Sequence, residues 1–277
     1  MRLPANFTET IHGLLQEISR REILPRYRGE EAMKTQMKSS PHDPVTDADI
    51  CAENAIIAAM ARILPGAVVV GEESVSKNPD LLSRIGDDGM TVIVDPVDGT
   101  LNFSCGIPAF GTMIAVMIGS ETVFGAIHEP LTGDTIAAEK GGGAYRITQS
   151  GAWILVAASQ DPASPAGTGF INFMAYRKDK RHDIFDRLDG LGHIRSVHCC
   201  AVEYRMTITG KAAFNFCHVS TPWDHAPGAF ILGEAGGHTS FLDGTPYTPM
   251  RRNGQIIAAG SRDVCDMLRD RFSFLDD

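Results

Sequence analysis

The sequence lacks any long apolar run. Its most hydrophobic region, 55–70, is interrupted by Arg62, Pro65 and Gly66, well short of the ~18 unbroken residues of a membrane span. The opening stretch to Leu15 carries Glu9 and has no apolar core of the ~7–15 residues that a secretion signal uses, so the expectation is a soluble, cytoplasmic protein with no membrane partner. A basic patch is missing too. Lys and Arg number 25 against 34 Asp and Glu, a formal net charge of −9. The densest cationic segment, Arg177, Lys178, Lys180 and Arg181, is broken by Asp179 and followed by His182 and Asp183. That pattern predicts the solvated face of a short helix and, with no aromatics interleaved, argues against nucleic acid as a partner. The six cysteines have no repeating spacing, and Cys199 and Cys200 are adjacent, which suits reduced thiols rather than a disulfide framework. Among His198, Cys199, Cys200, Cys217, His218 and His225, no Cys-x-x-Cys pair or regular His spacing points to zinc, and these are read as core residues. No low-complexity linker or internal repeat divides the 277 residues.

What is present is an ordinary globular composition, 43% hydrophobic and 21% charged, which excludes disordered, collagen-like and coiled-coil chains. Apolar spacing predicts helices over 6–28, with Thr8 as a possible cap, and over 46–64, ending at Pro65-Gly66. Runs of β-branched residues predict strands at 67–70 and 91–94, with a short helix around 81–85 between them. Strands at 112–118, 122–128 and 134–139 read as an antiparallel meander, followed by strands at 153–158 and 167–173. The second half alternates helices (about 180–189, 199–210, 224–236, 262–272) with strands (about 212–217, 238–242, 255–260). Interleaved helices and strands of this kind imply a layered fold.

Four segments place acidic residues where a regular element starts or stops, the positions at which scaffolds display reactive groups. In Asp43-Pro-Val-Thr46-Asp47-Ala-Asp49, Thr46 and Asp49 have the spacing of a capping box. Gly71-Glu72-Glu73-Ser74 follows a strand and, taken alone, reads as a solvated loop. In Val92-Ile-Val-Asp95-Pro96-Val97-Asp98-Gly99-Thr100-Leu-Asn102-Phe103, Pro96 is expected to stop the strand, and a turn returns Asp98 beside Asp95 with the Val97 carbonyl between them. Such an oxygen-rich corner suits hard cations such as Mg²⁺, and the Gly99 and Thr100 N–H groups suit a phosphate. In the fourth segment, Trp223-Asp224-His225-Ala-Pro227-Gly228, Asp224 is expected to open a helix that tolerates Pro227 in its first turn.

Taken together, DPVTDAD, GEES, VDPVDGTLNF and WDHAPGAFILGEAGG resemble, in order and approximate spacing, the motifs of the inositol monophosphatase family of metal-dependent, lithium-sensitive sugar phosphatases; the resemblance spans roughly 6–260. It implies an α+β layered αβαβα sandwich with mixed and antiparallel sheets, a homodimer, and a single domain over 1–277. The N-terminal half, about 1–150, would carry most metal ligands, and the half from 151 to 277 would supply Asp224 and the leaving-group pocket. The resemblance also implies Mg²⁺-dependent hydrolysis of a small phosphate monoester, with two or three ions. Glu72, Asp95 and the Val97 carbonyl would bind one ion, Asp95, Asp98 and Asp224 a second, and Glu72 would support any third. Thr100, with Asp49 and Glu72, would orient the attacking water. Asp98, Gly99, Thr100 and Asp224 would contact the substrate together with Cys199, Cys200 and Cys217, while Lys38 and Glu73 would stand just behind the ligands. The physics agrees: carboxylates at 72, 95, 98 and 224 carry formal charge −4, which two Mg²⁺ would offset, so an acidic chain can receive an anionic substrate.

The match departs on the leaving-group side. Seven residues before Asp224, where inositol-directed members carry an acidic residue for substrate hydroxyls, this chain has Cys217, and His198, Cys199 and Cys200 replace small residues. Glu203, a helical turn further on, is read as a surface glutamate rather than a substitute clamp. Inositol-1-phosphate, histidinol phosphate, fructose-1,6-bisphosphate and nucleotide 3′-phosphates therefore stay open as substrates. A regulatory binding protein of the transcription or ribosomal RNA machinery on the same scaffold is the alternative of another class.

Overall fold

The computed structural model describes residues 2–29, 36–37, 44–158 and 167–275. Phe7, Ile11, Leu15 and Ile18 recur at helical spacing and are all buried, giving α1 (Phe7–Ile18), which runs on through a π turn and a 3-10 turn to Arg26. Thr8 does not cap it. The cap position is Asn6, in the left-handed region, and the Thr8 hydroxyl inside the first turn donates to Glu139 Oε1 at 2.6 Å. Two short strands, β1 (Gln36–Met37) and β2 (Pro44–Val45), pair antiparallel and lead into α2 (Asp47–Ile63).

A seven-stranded sheet follows. β3 (Val68–Gly71) and β4 (Met90–Asp98) run parallel, with α3 (Glu72–Lys77) and a 3-10 turn between them. After α4 (Thr100–Ser104), an antiparallel meander adds β5 (Gly111–Ile118), β6 (Glu121–Glu129), β7 (Asp134–Glu139), β8 (Ala144–Ile147) and β9 (Trp153–Val156). The second sheet is built from β10 (Thr168–Ile171), β11 (His193–Arg195), β12 (Phe214–Cys217), β13 (His238–Phe241) and β14 (Ile256–Ala259), in the order β11-β10-β12-β14-β13. Its helices are α5 (Lys178–Asp186), α6 (Cys200–Ile208), α7 (Pro222–Glu234) and α8 (Arg262–Phe272).

The layers follow from strand alternation. Val92, Val94, Ile114 and Val116 face α1 and α2, whereas Met113 and Ile127 face α6 and α7. On β14, Ala258 joins that inner layer, and Ile257 and Ala259 face α5 and α8. The order is therefore helix, sheet, helix, sheet, helix, an α+β sandwich of the αβαβα kind. At α5, Arg177 and Lys178 are exposed as the mixed charges predict, whereas Lys180 and Arg181 are half-buried, Lys180 donating to the Phe274 carbonyl and Arg181 to those of Tyr176 and Met174. Several elements were not expected: the short strands β1, β2, β8 and β11, the single-turn α4, and α3, which lies where a loop was read.

One departure matters for function. Pro96 does not end β4. Asp95 pairs with Met113 and Asp98 with Gly111, so three steps on one strand oppose two on the other, a bulge at which proline's missing N–H costs nothing. The Thr112 hydroxyl anchors it by donating to the Pro96 carbonyl at 2.8 Å.

α7 crosses β6 closely because Gly125 has no side chain: a Cβ there would stand 2.8 Å from the Pro227 carbonyl oxygen and 3.0 Å from Ile231. Gly125→Ala is expected to cost ~1–3 kcal/mol by overpacking, read as a lower urea midpoint. An unchanged midpoint would show that α7 is free to shift.

Candidate active site

The amino end of α2 supplies the first acid. Thr46 and Asp49 form the expected capping box, in which Asp49 Oδ2 accepts the Thr46 N–H at 2.9 Å. Asp49 also reaches across the chain, since Oδ1 accepts the Thr100 hydroxyl at 3.1 Å. One carboxylate thus serves as both cap and site residue. Burial pushes it up to about 6, against the two Thr46 bonds.

One turn along α2 sits Glu53, which sequence reasoning did not single out. It is 2% exposed and accepts the N–H groups of Glu73 at 2.8 Å and Ser74 at 2.7 Å, together with the Ser74 hydroxyl. Its charge satisfies the otherwise unpaired amides that open α3 and so fixes where Glu72 stands. Gly71 makes room for it, because a Cβ at 71 would meet Glu53 Oε2 at 2.3 Å. The available signal was a charged residue four positions after Asp49 on a largely apolar helix face. Glu73, the acid expected just behind the ligands, is buried. Lys38 lies outside the described residues.

The bulge at the end of β4 delivers Asp95, Val97 and Asp98. Val97 is fully buried, and its carbonyl accepts the Thr100 hydroxyl at 3.0 Å. Gly99 follows with φ +84°, and a Cβ there would also stand 2.7 Å from the Ala109 carbonyl and 3.1 Å from Cys199. Only glycine meets both demands. Asp98 Oδ2 is pinned by the Ala201 N–H at 2.5 Å and the Cys199 thiol at 3.1 Å. The structure therefore puts Cys199, the residue capping α6, behind Asp98. Burial, then the Asp98 charge, hold that thiol well above its ordinary range, so it stays a donor.

Asp224 arrives on α7, which begins at Pro222, two residues earlier than expected. It is consequently not the cap. It sits in the first turn and accepts the Thr221 hydroxyl, and Pro227 falls inside the helix rather than in its first turn.

Oxygens of Asp95, Asp98 and Asp224 all lie within 4.8 Å of one another. Burial first, then the charges of Glu72, Asp98 and Asp224, keep the Asp95 carboxyl well above the carboxylate range. Burial also raises Asp98 to about 6 and, with the Asp98 and Glu72 charges, Asp224 to about 7. Glu72 thus belongs to the same electrostatic cluster. Like charges this close and this dry must be neutralised by protons or by a cation. Asp95 Oδ1 is buried with no hydrogen-bond partner. An orphaned hard oxygen in a group of three converging carboxylates fits a hard divalent cation.

Beside the carboxylates, Cys200 opens α6, Cys217 ends β12 and His225 lies in α7. Their donor atoms come within 4.8 Å of one another, a convergence that spacing did not foretell. Burial lowers His225 to about 3, which keeps the imidazole neutral. Glu203 is not a surface residue. It is 6% exposed, accepts the Val197 N–H at 3.2 Å, and is pushed by burial to about 8. Asn102 holds the same segment by donating to the Val197 carbonyl at 2.8 Å, and His198 takes a left-handed φ of 54° with Nδ1 3.0 Å from Asn172 Nδ2.

The chain is similar to known proteins over most of its length. The model of the inositol monophosphatase family matches residues 6–269. An inositol-1-monophosphatase of Mycobacterium leprae is 31% identical over 225 residues, covering 80% of this chain and 74% of that protein. The Nus factor SuhB of Pasteurella multocida is 27% identical over 260 residues, covering 89% and 88%. A solved structure described as an IMPase/NADP phosphatase complexed with Mg²⁺ and phosphate superimposes with a TM-score of 0.80 at 18% identity, covering 95% of this chain and 94% of that one.

Two outcomes follow from the site. Because the folded carboxyls of Asp98 and Asp224 titrate near 6 and 7 and unfolded ones near ~4, the native state holds the extra protons between those values, so stability without divalent cations falls as pH rises from about 4 to about 7. A cation replaces those protons; Mg²⁺ should raise the melting temperature at about pH 8 and barely change it at about pH 4.5, and an equal shift at both would contradict a carboxylate site. Glu53→Ala leaves three donors unsatisfied and should cost on the order of 1–3 kcal/mol, with loss of amide-exchange protection at Glu73 and Ser74; intact protection there would remove Glu53 from its positioning role.

Proposed function

The chain belongs to the inositol monophosphatase family, and from that premise we propose that it hydrolyses a small phosphate monoester, inositol-1-phosphate-like, with Mg²⁺ as cofactor. The observation that carries the proposal is the meeting of Asp95, Asp98 and Asp224 oxygens within 4.8 Å around the unpartnered Asp95 Oδ1. Glu72, Asp95 and the Val97 carbonyl would hold one ion, and Asp95, Asp98 and Asp224 a second, with Glu72 able to support a third. Such ions neutralise the charge of a phosphate dianion and make water a better nucleophile at neutral pH.

The remaining work falls to this chain's own groups. The Thr100 hydroxyl proton is shared between Asp49 Oδ1 and the Val97 carbonyl, which leaves lone pairs on Thr100 Oγ1 to accept a hydrogen bond from the attacking water and orient it. Asp49, raised to about 6, takes the proton passed through that oxygen and releases it near neutral pH. Glu72 keeps the water's other side polar. The Gly99 and Thr100 N–H groups, at the start of α4 where intrahelical acceptors are absent, hold the phosphate oxygens. No covalent phosphoenzyme is required.

Leaving-group recognition rests on a wall where Cys217 stands in place of a carboxylate and Cys200 in place of a small residue. Thiols accept hydrogen bonds from polyol hydroxyls poorly, so histidinol phosphate, fructose-1,6-bisphosphate and nucleotide 3′-phosphates are alternative substrates. The Pasteurella relative's description supports a second reading, a binding role in the transcription or ribosomal RNA machinery; the complete carboxylate set favours hydrolysis. A homodimer belongs to the same proposal. The test is phosphate release from those four substrates with and without Mg²⁺. Turnover of at least one is expected only with Mg²⁺, and Asp95→Asn should lower it by roughly 10²-fold or more with the circular dichroism spectrum unchanged. Retained turnover in that variant would refute the assignment, and silence across the panel would favour the binding role.

A further inference from the structure

Among the described residues, two groups of side chains come close enough to share an ion, and the second is Cys200, Cys217 and His225. They arrive from three elements, the start of α6, the end of β12 and the first turns of α7. Their donor atoms lie within 4.8 Å of one another, and the Cys200 thiol contacts that of Cys217. The Cys217 thiol also donates to Asn215 Oδ1 at 3.2 Å. Core cysteines usually pack against aliphatic neighbours; these two face each other and an imidazole.

The histidine is prepared for ligation. His225 is fully buried, and its Nδ1 pairs with the Tyr204 hydroxyl at 3.1 Å, a contact that fixes the ring as neighbours fix metal-bound histidines. Its Nε2 is buried and makes no hydrogen bond of good geometry, and the Val219 backbone lies beside the ring. Cys200 and Cys217 are half-buried. Two sulfurs and one nitrogen make three of the four tetrahedral positions that zinc fills, and the donor softness differs from that of the neighbouring carboxylates.

We propose that Cys200, Cys217 and His225 form a soft-donor metal site that takes Zn²⁺, separate from the carboxylate cluster that takes Mg²⁺. Both thiols ligate as thiolates, and the Cys217 bond to Asn215 gives way to the bond to the ion. The remaining position is left to water or to a donor atom of a ligand. The two sites adjoin, since the charges of Asp98 and Asp224 both bear on Cys200, so each ion alters the field at the other.

The site can be tested without any assay of hydrolysis. Co²⁺ is added to the reduced full chain under saturating Mg²⁺, which occupies the carboxylates. One equivalent is expected to produce the near-ultraviolet sulfur-to-metal absorption of thiolate ligation, Zn²⁺ should abolish it by displacement, and Cys200→Ser and Cys217→Ser should each remove it, whereas Cys105→Ser should not. Should the serine variants fail to fold, alkylation of the wild-type chain decides: Zn²⁺ should slow modification of Cys200 and Cys217 by at least about tenfold, as a tight thiolate ligand does, and leave exposed Cys105 unprotected. Absence of the absorption in wild-type protein, its persistence in the double Cys200→Ser/Cys217→Ser variant, or equal alkylation with and without Zn²⁺ overturns the proposal.

Discussion

Mutual repulsion among buried carboxylates is the constraint around which this molecule is arranged. Asp95, Asp98 and Asp224 stand within 4.8 Å of one another, in surroundings dry enough to raise each carboxyl above its ordinary range. A polypeptide left to itself would let them separate. Here they cannot, because each is attached to an element that is locked by unrelated contacts: Asp95 and Asp98 to a bulged central strand, Asp224 to a helix packed tightly over Gly125. The stability lost in holding them together is recovered when positive charge enters, which couples cation binding to native stability.

The fastening of these acids is done largely by backbone groups at element ends. Asp98 is held by the first amides of α6, and Glu53 holds the first amides of α3 and with them the position of Glu72. Asp49 closes α2 while receiving Thr100 from the far side of the cluster. Amides that open a helix have no partner within it, so a carboxylate there stabilises the helix while the helix fixes the carboxylate. Gly71 and Gly99 mark the two places where this arrangement leaves no room for a side chain.

Much of this was legible in the sequence. Apolar periodicity located the longer helices and the β5–β7 part of the meander, and the acid-bearing segments were recognisable by their positions at element ends and by their resemblance to one family. The misreadings have local causes. Pro96 signals the end of a strand, yet a bulge accommodates it, and Asp224 looks like a cap because aspartate so often is one, although Pro222 starts the helix earlier. Glu203 has the polar character of a surface residue and is buried because the 197–198 segment folds over it.

Sequence alone determined which residues are acidic, which segments end at them, and that the chain builds alternating helical and strand layers, since these depend on residue type and on neighbours a few positions away. Tertiary structure alone decided that Asp224 meets Asp95 and Asp98, that Glu53 anchors α3, and that Cys200, Cys217 and His225 converge. Those meetings depend on how separate elements pack and in what register, and packing is set by the shape of the whole core rather than by the spacing of the residues that come together.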